Sequence, residues 1–249
     1  MNGKPLRIAM WSGPRNISTT LMRAFGARPD TAVADEPLYA HYLLVSGVDH
    51  PGRDEVIDCH ETDWRKVAAW LTGPVPGGKP VFYQKHMSKH LLPGVGREWL
   101  DELTHAFLIR DPAEMLLSFA RVVAEPTLAD TGLPEQVALF EQVADRLGRA
   151  PPVVDARDVL TDPPGVLSRL CDALGLDYTE AMLAWPAGRR DTDGVWAPHW
   201  YAAVEQSTGF GPPPPRVTSL PAALERVLDE CRPRYERLAA FRLRVGEPR

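Results

Sequence analysis

Residues 6–25 read LRIAMWSGPRNISTTLMRAF, and this stretch decides the fold. Leu6–Trp11 is an apolar run of strand length, Gly13-Pro14 interrupts it, and Ser18–Phe25 has the spacing of a helix. Strand, tight loop, helix is the build of a phosphate-binding loop, in which amides at a helix N-terminus face an anion. The nucleoside-triphosphate form is G-x-x-x-x-G-K-[ST], with the lysine on the outer phosphates. Here Gly13 is in place, but Ser18 stands at the second glycine and Thr19 at the lysine. The loop's one cation is Arg15.

Outward from this loop, strands and helices alternate. Thr31–Ala34, Pro80–Gln84, Thr104–Ile109 and Val153–Ala156 read as further strands. Helices are expected at 38–45, 64–71, 97–103, 112–123, 133–147 and 163–174, with a last one at 220–241 after the Pro-rich 211–215. Residues 47–60 read as a loop. Alternating β and α units give an α/β fold: a three-layer P-loop-type parallel sheet with helices on both faces. The whole of residues 1–249 is expected as one domain, with the 210–249 segment and its helix packed on it.

Composition narrows the setting. A net charge of −5 argues against a general nucleic-acid binder, and no run approaches the ~20 apolar residues of a membrane span. Cys59, Cys171 and Cys231 are scattered and suggest neither a disulfide framework nor a zinc site. No apolar leader precedes the first strand, so a cytoplasmic location is expected. Lys4, Lys66, Lys79, Lys85 and Lys89 are the only lysines among 28 basic residues. Arginine's planar fork suits phosphate and sulfate, so position must show which arginines matter.

In open parallel sheets the ligand lies beyond the carboxyl ends of the strands. The residues just past the five strands are Arg15, Asp35-Glu36, Lys85-His86, Arg110-Asp111 and Arg157-Asp158. Each strand is thus expected to deliver an ionisable group into one crevice.

Gly13 to Thr20, GPRNISTT, resembles the phosphosulfate loop of sulfotransferases that use 3′-phosphoadenosine 5′-phosphosulfate (PAPS), a P-[KR]-S-G-[ST]-T pattern. The family's second signature, a strand-end arginine with a serine eight residues on, is similar to FLIRDPAEMLLS, with Arg110 and Ser118. QKHMSKHLLP, residues 84–93, resembles its K-T-H-L-P segment, with Lys85 one place late and His86 aligned. Residues 153–176 are similar to a strand and helix ending in L-G-[LI], and GRRDTDGVWAPHW, residues 188–200, loosely resembles the basic stretch that closes over the 3′-phosphate.

The resemblance implies transfer of a sulfuryl group from PAPS to a hydroxyl or amine of a small-molecule or carbohydrate acceptor, with adenosine 3′,5′-bisphosphate as product and no metal required. Cofactor contacts are then expected from Gly13, Pro14, Arg15, Asn16, Ile17, Ser18, Thr19, Thr20, Arg110, Ser118, Arg189 and Arg190. Arg15 is the expected clamp on the leaving phosphosulfate and Lys85 a second one. The family nominates His86 as general base, with Glu36 as the carboxylate rival. No nucleic acid or membrane partner is expected, and a homodimer is left open. Asn16-Ile17 replaces the family's Ser-Gly, and a β-branched Ile17 is expected to avoid positive φ. His41, His90 and His199 are expected on the substrate side or the surface, and Trp196, Trp200, Tyr201 and Phe210 receive no role. A P-loop kinase or hydrolase using Asp111 to hold a metal, or a non-catalytic nucleotide-binding relative, are the alternatives.

Overall fold

The computed structural model describes residues 4–246. Five strands, β1 (Leu6–Ser12), β2 (Thr31–Asp35), β3 (Val81–Met87), β4 (Thr104–Ile109) and β5 (Val153–Asp155), form one sheet in the order β2-β3-β1-β4-β5. Every pairing is parallel. The α/β expectation holds, and β1, which feeds the phosphate-type loop, runs through the middle. Almost every strand residue is buried, as a sheet covered on both faces requires.

The two faces carry separate cores, set by strand alternation. Ile8, Met10, Tyr83, Ala106 and Leu108 pack on one side against α1 (Ser18–Gly26) and the helix Pro163–Leu174. Ala9, Trp11, Phe82, Phe107 and Ile109 pack on the other, against the helices Trp64–Thr72 and Leu133–Leu147 and Leu238 of the helix Ala222–Ala239. A third cluster joins Tyr39, Ala40 and Leu43 of α2 (Tyr39–Ser46) to Val56, Trp196, Ala197 and Tyr201. It builds a wall beyond the strand ends.

Three expectations are corrected. The supposed loop 47–60 contains a helix, α3 (Arg53–Cys59), whose one buried residue is Val56; a single apolar anchor leaves no periodicity to read. β3 runs on through Met87, so Lys85 and His86 lie inside the strand and point to opposite faces. Residues 97–103 form a short 3₁₀ turn, Glu98–Glu102, instead of an α-helix. Among the described residues no helix is long and apolar enough to cross a membrane.

Candidate functional site

A cavity of about 300 Å³ opens beyond the carboxyl ends of β1–β4 on the α1 side of the sheet. Its floor is the loop after β1. Pro14, Arg15, Asn16, Ile17, Ser18, Thr19 and Thr20 all line it. Gly13 does not. A Cβ there would lie 2.6 Å from the Thr131 carbonyl oxygen, so this glycine is required by close approach behind the loop.

Ile17 is the N-cap of α1 and sits at φ 57, ψ 19, the conformation it was expected to avoid. Arg15 at φ 59 and Glu36 at φ 40 are the other non-glycine residues with positive φ among the described ones, and both line the same cavity. Left-handed backbone outside glycine costs on the order of 1–2 kcal/mol per residue. Ile17 recovers part of that by packing on the core beneath α1. The turn leaves the first amides of α1 without a side-chain cap, and no acid occupies the first turn. This end of the helix is therefore electropositive and open to an anion.

Arg15 and Arg110 meet at one end. Arg15 Nε donates to Ser118 Oγ at 3.1 Å, and Arg110 donates through a terminal guanidinium nitrogen to the Arg15 carbonyl at 2.7 Å. Arg110 is also paired with Glu114 at 3.3 Å. Arg15 has no carboxylate partner among the described residues. Burial lowers its affinity for protons, and the charges of Arg110 and Arg121 lower it further. A half-buried guanidinium among like charges is a site prepared for an anion. Arg15 thus stands with Ser118 and Arg110, and the three form one cradle instead of two separate clamps.

The opposite end is a buried ionic network. Lys85 Nζ donates to Asp35 Oδ1 at 2.7 Å, to Glu36 Oε1 at 2.6 Å and to the Tyr201 hydroxyl at 2.6 Å. Tyr201 donates to Asp35 at 2.7 Å, and Trp196 Nε1 donates to the Tyr201 oxygen at 3.0 Å. Burial works to lower the Lys85 ammonium, but the carboxylates Asp35 and Glu36 override it and hold it well above its ordinary value. Lys85 is therefore a neutralised cation and no free second clamp. Burial raises the Glu36 carboxyl, only partly opposed by Lys85.

His86 is corrected. It is 1 % exposed and lies on the other face of the sheet, its ring stacked 4.3 Å from Trp11 and its Nε2 3.3 Å from Gln84 Oε1. Burial holds it down at about 3. Alternation forbids adjacent Lys85 and His86 from facing one cavity. Another histidine lines the cavity, His90, one turn beyond β3. It is 2 % exposed, packed between Tyr39 and Tyr42 at 4.7 and 4.6 Å, and neither ring nitrogen has a hydrogen-bond partner. Its Nδ1 is 3.8 Å from Glu36 Oε2. Burial, then the Lys89 charge, pushes it well below its ordinary value, so the ring is neutral.

Arg189 and Arg190 do not reach the cavity. Arg189 is exposed, and Arg190 spends its guanidinium on carbonyls of its own turn, among them Gly188 at 3.1 Å. The segment they belong to is anchored by its other residues. Asp193 takes both terminal nitrogens of Arg23 at 2.5 and 2.6 Å, and the Gly194 amide donates to Asp35 at 3.3 Å. These ties seat Trp196, Trp200 and Tyr201 in the cavity wall, residues to which the sequence alone assigned no role. Asp111 is the N-cap of the helix Pro112–Phe119, accepting from the Ala113 and Glu114 amides at 2.9 and 3.3 Å, so it faces its own helix. Arg157 pairs with Glu114 and the Pro214 carbonyl, away from the cavity.

Three comparisons bear on this site. The family model described as "Sulfotransferase domain" matches residues 6–240. Two Arabidopsis thaliana proteins, Branched-chain-amino-acid aminotransferase-like protein 1 and protein 2, are 39% identical over 232 residues and 38% identical over 228 residues. The matches cover 93% and 92% of this chain but only 41% and 40% of theirs, so the chain spans well under half the length of those relatives. Among solved structures, the sulfotransferase from Alicyclobacillus acidocaldarius superposes with a TM-score of 0.55 at 15% identity, covering 96% of this chain and 95% of that one. The sulfotransferase domain of the Synechococcus PCC 7002 olefin synthase gives 0.53 at 18%, covering 92% and 96%, and that of the curacin biosynthetic pathway 0.51 at 17%, covering 91% and 97%. At these identities the structures speak for the fold.

Proposed function

The chain belongs to the sulfotransferase domain family, and on that premise we propose that it transfers a sulfuryl group from PAPS to a hydroxyl or amine of a small-molecule or carbohydrate acceptor. One observation carries this: a single cavity joins an anion cradle at one end to a buried carboxylate of raised basicity at the other. The cradle fits the nucleotide. Arg15 has no carboxylate partner among the described residues, α1 presents uncapped amides, and the Ser18, Thr19 and Thr20 side chains border the same space. Arg110, Ser118 and Arg15 would hold the 3′-phosphate, while the α1 amides and those hydroxyls would hold the phosphosulfate end. PAPS supplies the activated sulfuryl group.

The chain's own residues handle charge and the proton. Fixed amides and the Ser18, Thr19 and Thr20 hydroxyls stabilise negative charge that spreads during transfer, as in phosphoryl transfer. Glu36 takes the acceptor proton on Oε2, the oxygen not bound by Lys85. Lys85 and Asp35 fix its position. The family's histidine is replaced in this role by a carboxylate because His86 is on the wrong face.

Adenosine 3′,5′-bisphosphate is expected to bind in the micromolar range or tighter without added metal, raising the melting temperature by mass action. ATP with Mg²⁺ should stabilise much less. Greater stabilisation by ATP, read by calorimetry and melting curves, rejects the assignment in favour of a kinase or hydrolase. Arg110→Ala is expected to weaken the bisphosphate by about ten- to a hundredfold, the roughly 1.5–3 kcal/mol of a charge-assisted bond. The variant should discriminate it from AMP less by the same factor. A parent protein that already binds AMP equally well removes the 3′-phosphate contact.

A further inference from the structure

The acceptor end of the cavity holds a second cation, and unlike Lys85 it is not neutralised. Lys89 is 8 % exposed and lines the cavity. Its Nζ lies 5.5 Å from the Tyr42 ring centroid and 6.0 Å from that of Phe119. Among the described residues no carboxylate is within ion-pair distance; Asp130, Glu36 and Glu135 act on it only from farther away. Ring faces offset a small part of the cost of burying an ammonium. Beside it stands His90, 2 % exposed, with both ring nitrogens unpartnered. A buried cation without a counter-ion and a buried ring with two idle polar atoms, facing one space, are incomplete without a polar ligand.

Position says which ligand. Lys89 lies over the Tyr42 ring, Tyr42 stacks on His90, and His90 Nδ1 is 3.8 Å from Glu36 Oε2, whereas Arg15 meets Ser118 and Arg110. We propose that the acceptor is a hydroxy compound bearing a carboxylate, which pairs with Lys89 while the unpartnered His90 ring hydrogen-bonds its polar body. Placing this ligand at the acceptor end rests on the sulfotransferase function proposed above. Tyr39, Trp196 and Trp200 line the cavity, and Tyr42 packs against both Lys89 and His90; these rings strengthen the pair by excluding water.

The test is calorimetric titration of the full chain, saturated with adenosine 3′,5′-bisphosphate, with benzoate and with its neutral isostere benzamide. Benzoate is expected to bind about tenfold tighter or more. The preference should vanish in Lys89→Met and persist in Lys89→Arg; if melting curves show the methionine is not tolerated, Lys89→Gln makes the same comparison. Equal affinity for the two probes, no benzoate binding, or a preference that survives loss of the ammonium overturns the proposal. A Lys89→Met variant that binds PAPS at least tenfold more weakly but the bisphosphate normally also overturns it, because the ammonium then serves the donor's sulfonate. Failure of the bisphosphate to bind rejects the proposed function alone, and the two probes titrated into the free protein still decide the Lys89 site.

Discussion

Glu36→Gln is expected to lower turnover by roughly 10²–10⁴, the usual contribution of a general base, while leaving bisphosphate affinity unchanged. That corresponds to about 3–5 kcal/mol of barrier. Glutamine keeps the size of the side chain, and Lys85 keeps Asp35 and Tyr201 as partners, so the network survives the change. Only the capacity to take a proton is lost. The pH dependence supplies a second readout. Glu36 must be ionised to act, and burial raises its pKa, so the parent's rate should climb with pH at values above the ordinary carboxylate range and then level off. The glutamine variant should show no such climb. Release of bisphosphate from PAPS, with 4-hydroxybenzoate as acceptor, measures both. Retention of most of the parent rate by Glu36→Gln would remove the carboxylate as base.

The folded state is expected to lose stability steeply as pH falls from 7 toward 4, through histidines that have no part in the chemistry. His86 and His105 are 1 % and 6 % exposed, and burial holds them at about 3 and about 4. In the unfolded chain they titrate near ~6.5. A depressed native pKa gives stability that is complete above the unfolded value and is lost as pH falls toward the native one. At pH 5 each residue costs about 2 kcal/mol, together about 4, against a typical total of roughly 5–15 kcal/mol. His90 adds in the same direction, while the raised carboxyls of Glu36 and Asp155 act against it. Urea unfolding at pH 7.5 and pH 5 measures the loss. His86→Phe keeps a ring against Trp11 and should recover about 2 kcal/mol at pH 5. Equal stability at the two pH values, or no recovery in the variant, would refute this account.

The sheet was legible because β1, β3 and β4 are apolar runs of strand length bounded by breakers, and the crevice rule placed Arg15, Glu36, Lys85 and Arg110 together. Ser118 came from the resemblance alone, as the serine eight residues after the strand-end Arg110. The errors have physical causes. Ending β3 at Gln84 hid the alternation that sends Lys85 into the cavity and His86 away from it, although the adjacency of the two was itself the signal. Arg189 and Arg190 rested on the loose resemblance of residues 188–200 to the family's closing stretch, yet Asp193 and Gly194 are what dock that segment, through tertiary contacts with Arg23 and Asp35 that leave no local pattern. His90 and Lys89 sit in a short turn after β3 and face the site through the packing of α2, which sequence spacing does not encode.

Arg15, Ile17 and Glu36 share left-handed backbone, and all three border the ligand space. Selection for stability alone would favour glycine or asparagine at Arg15 and Glu36, where the left-handed backbone is strained, while Ile17 repays part of its strain by packing on the core. Drift in that direction would remove the guanidinium and the carboxyl, and with them the two ends of the cavity. At Arg15 and Glu36 the strained backbone carries the charged groups of the two ends, which points to function, and not folding, as the reason for these residues. The same pressure makes these positions the wrong place to begin when engineering a more durable form of the protein.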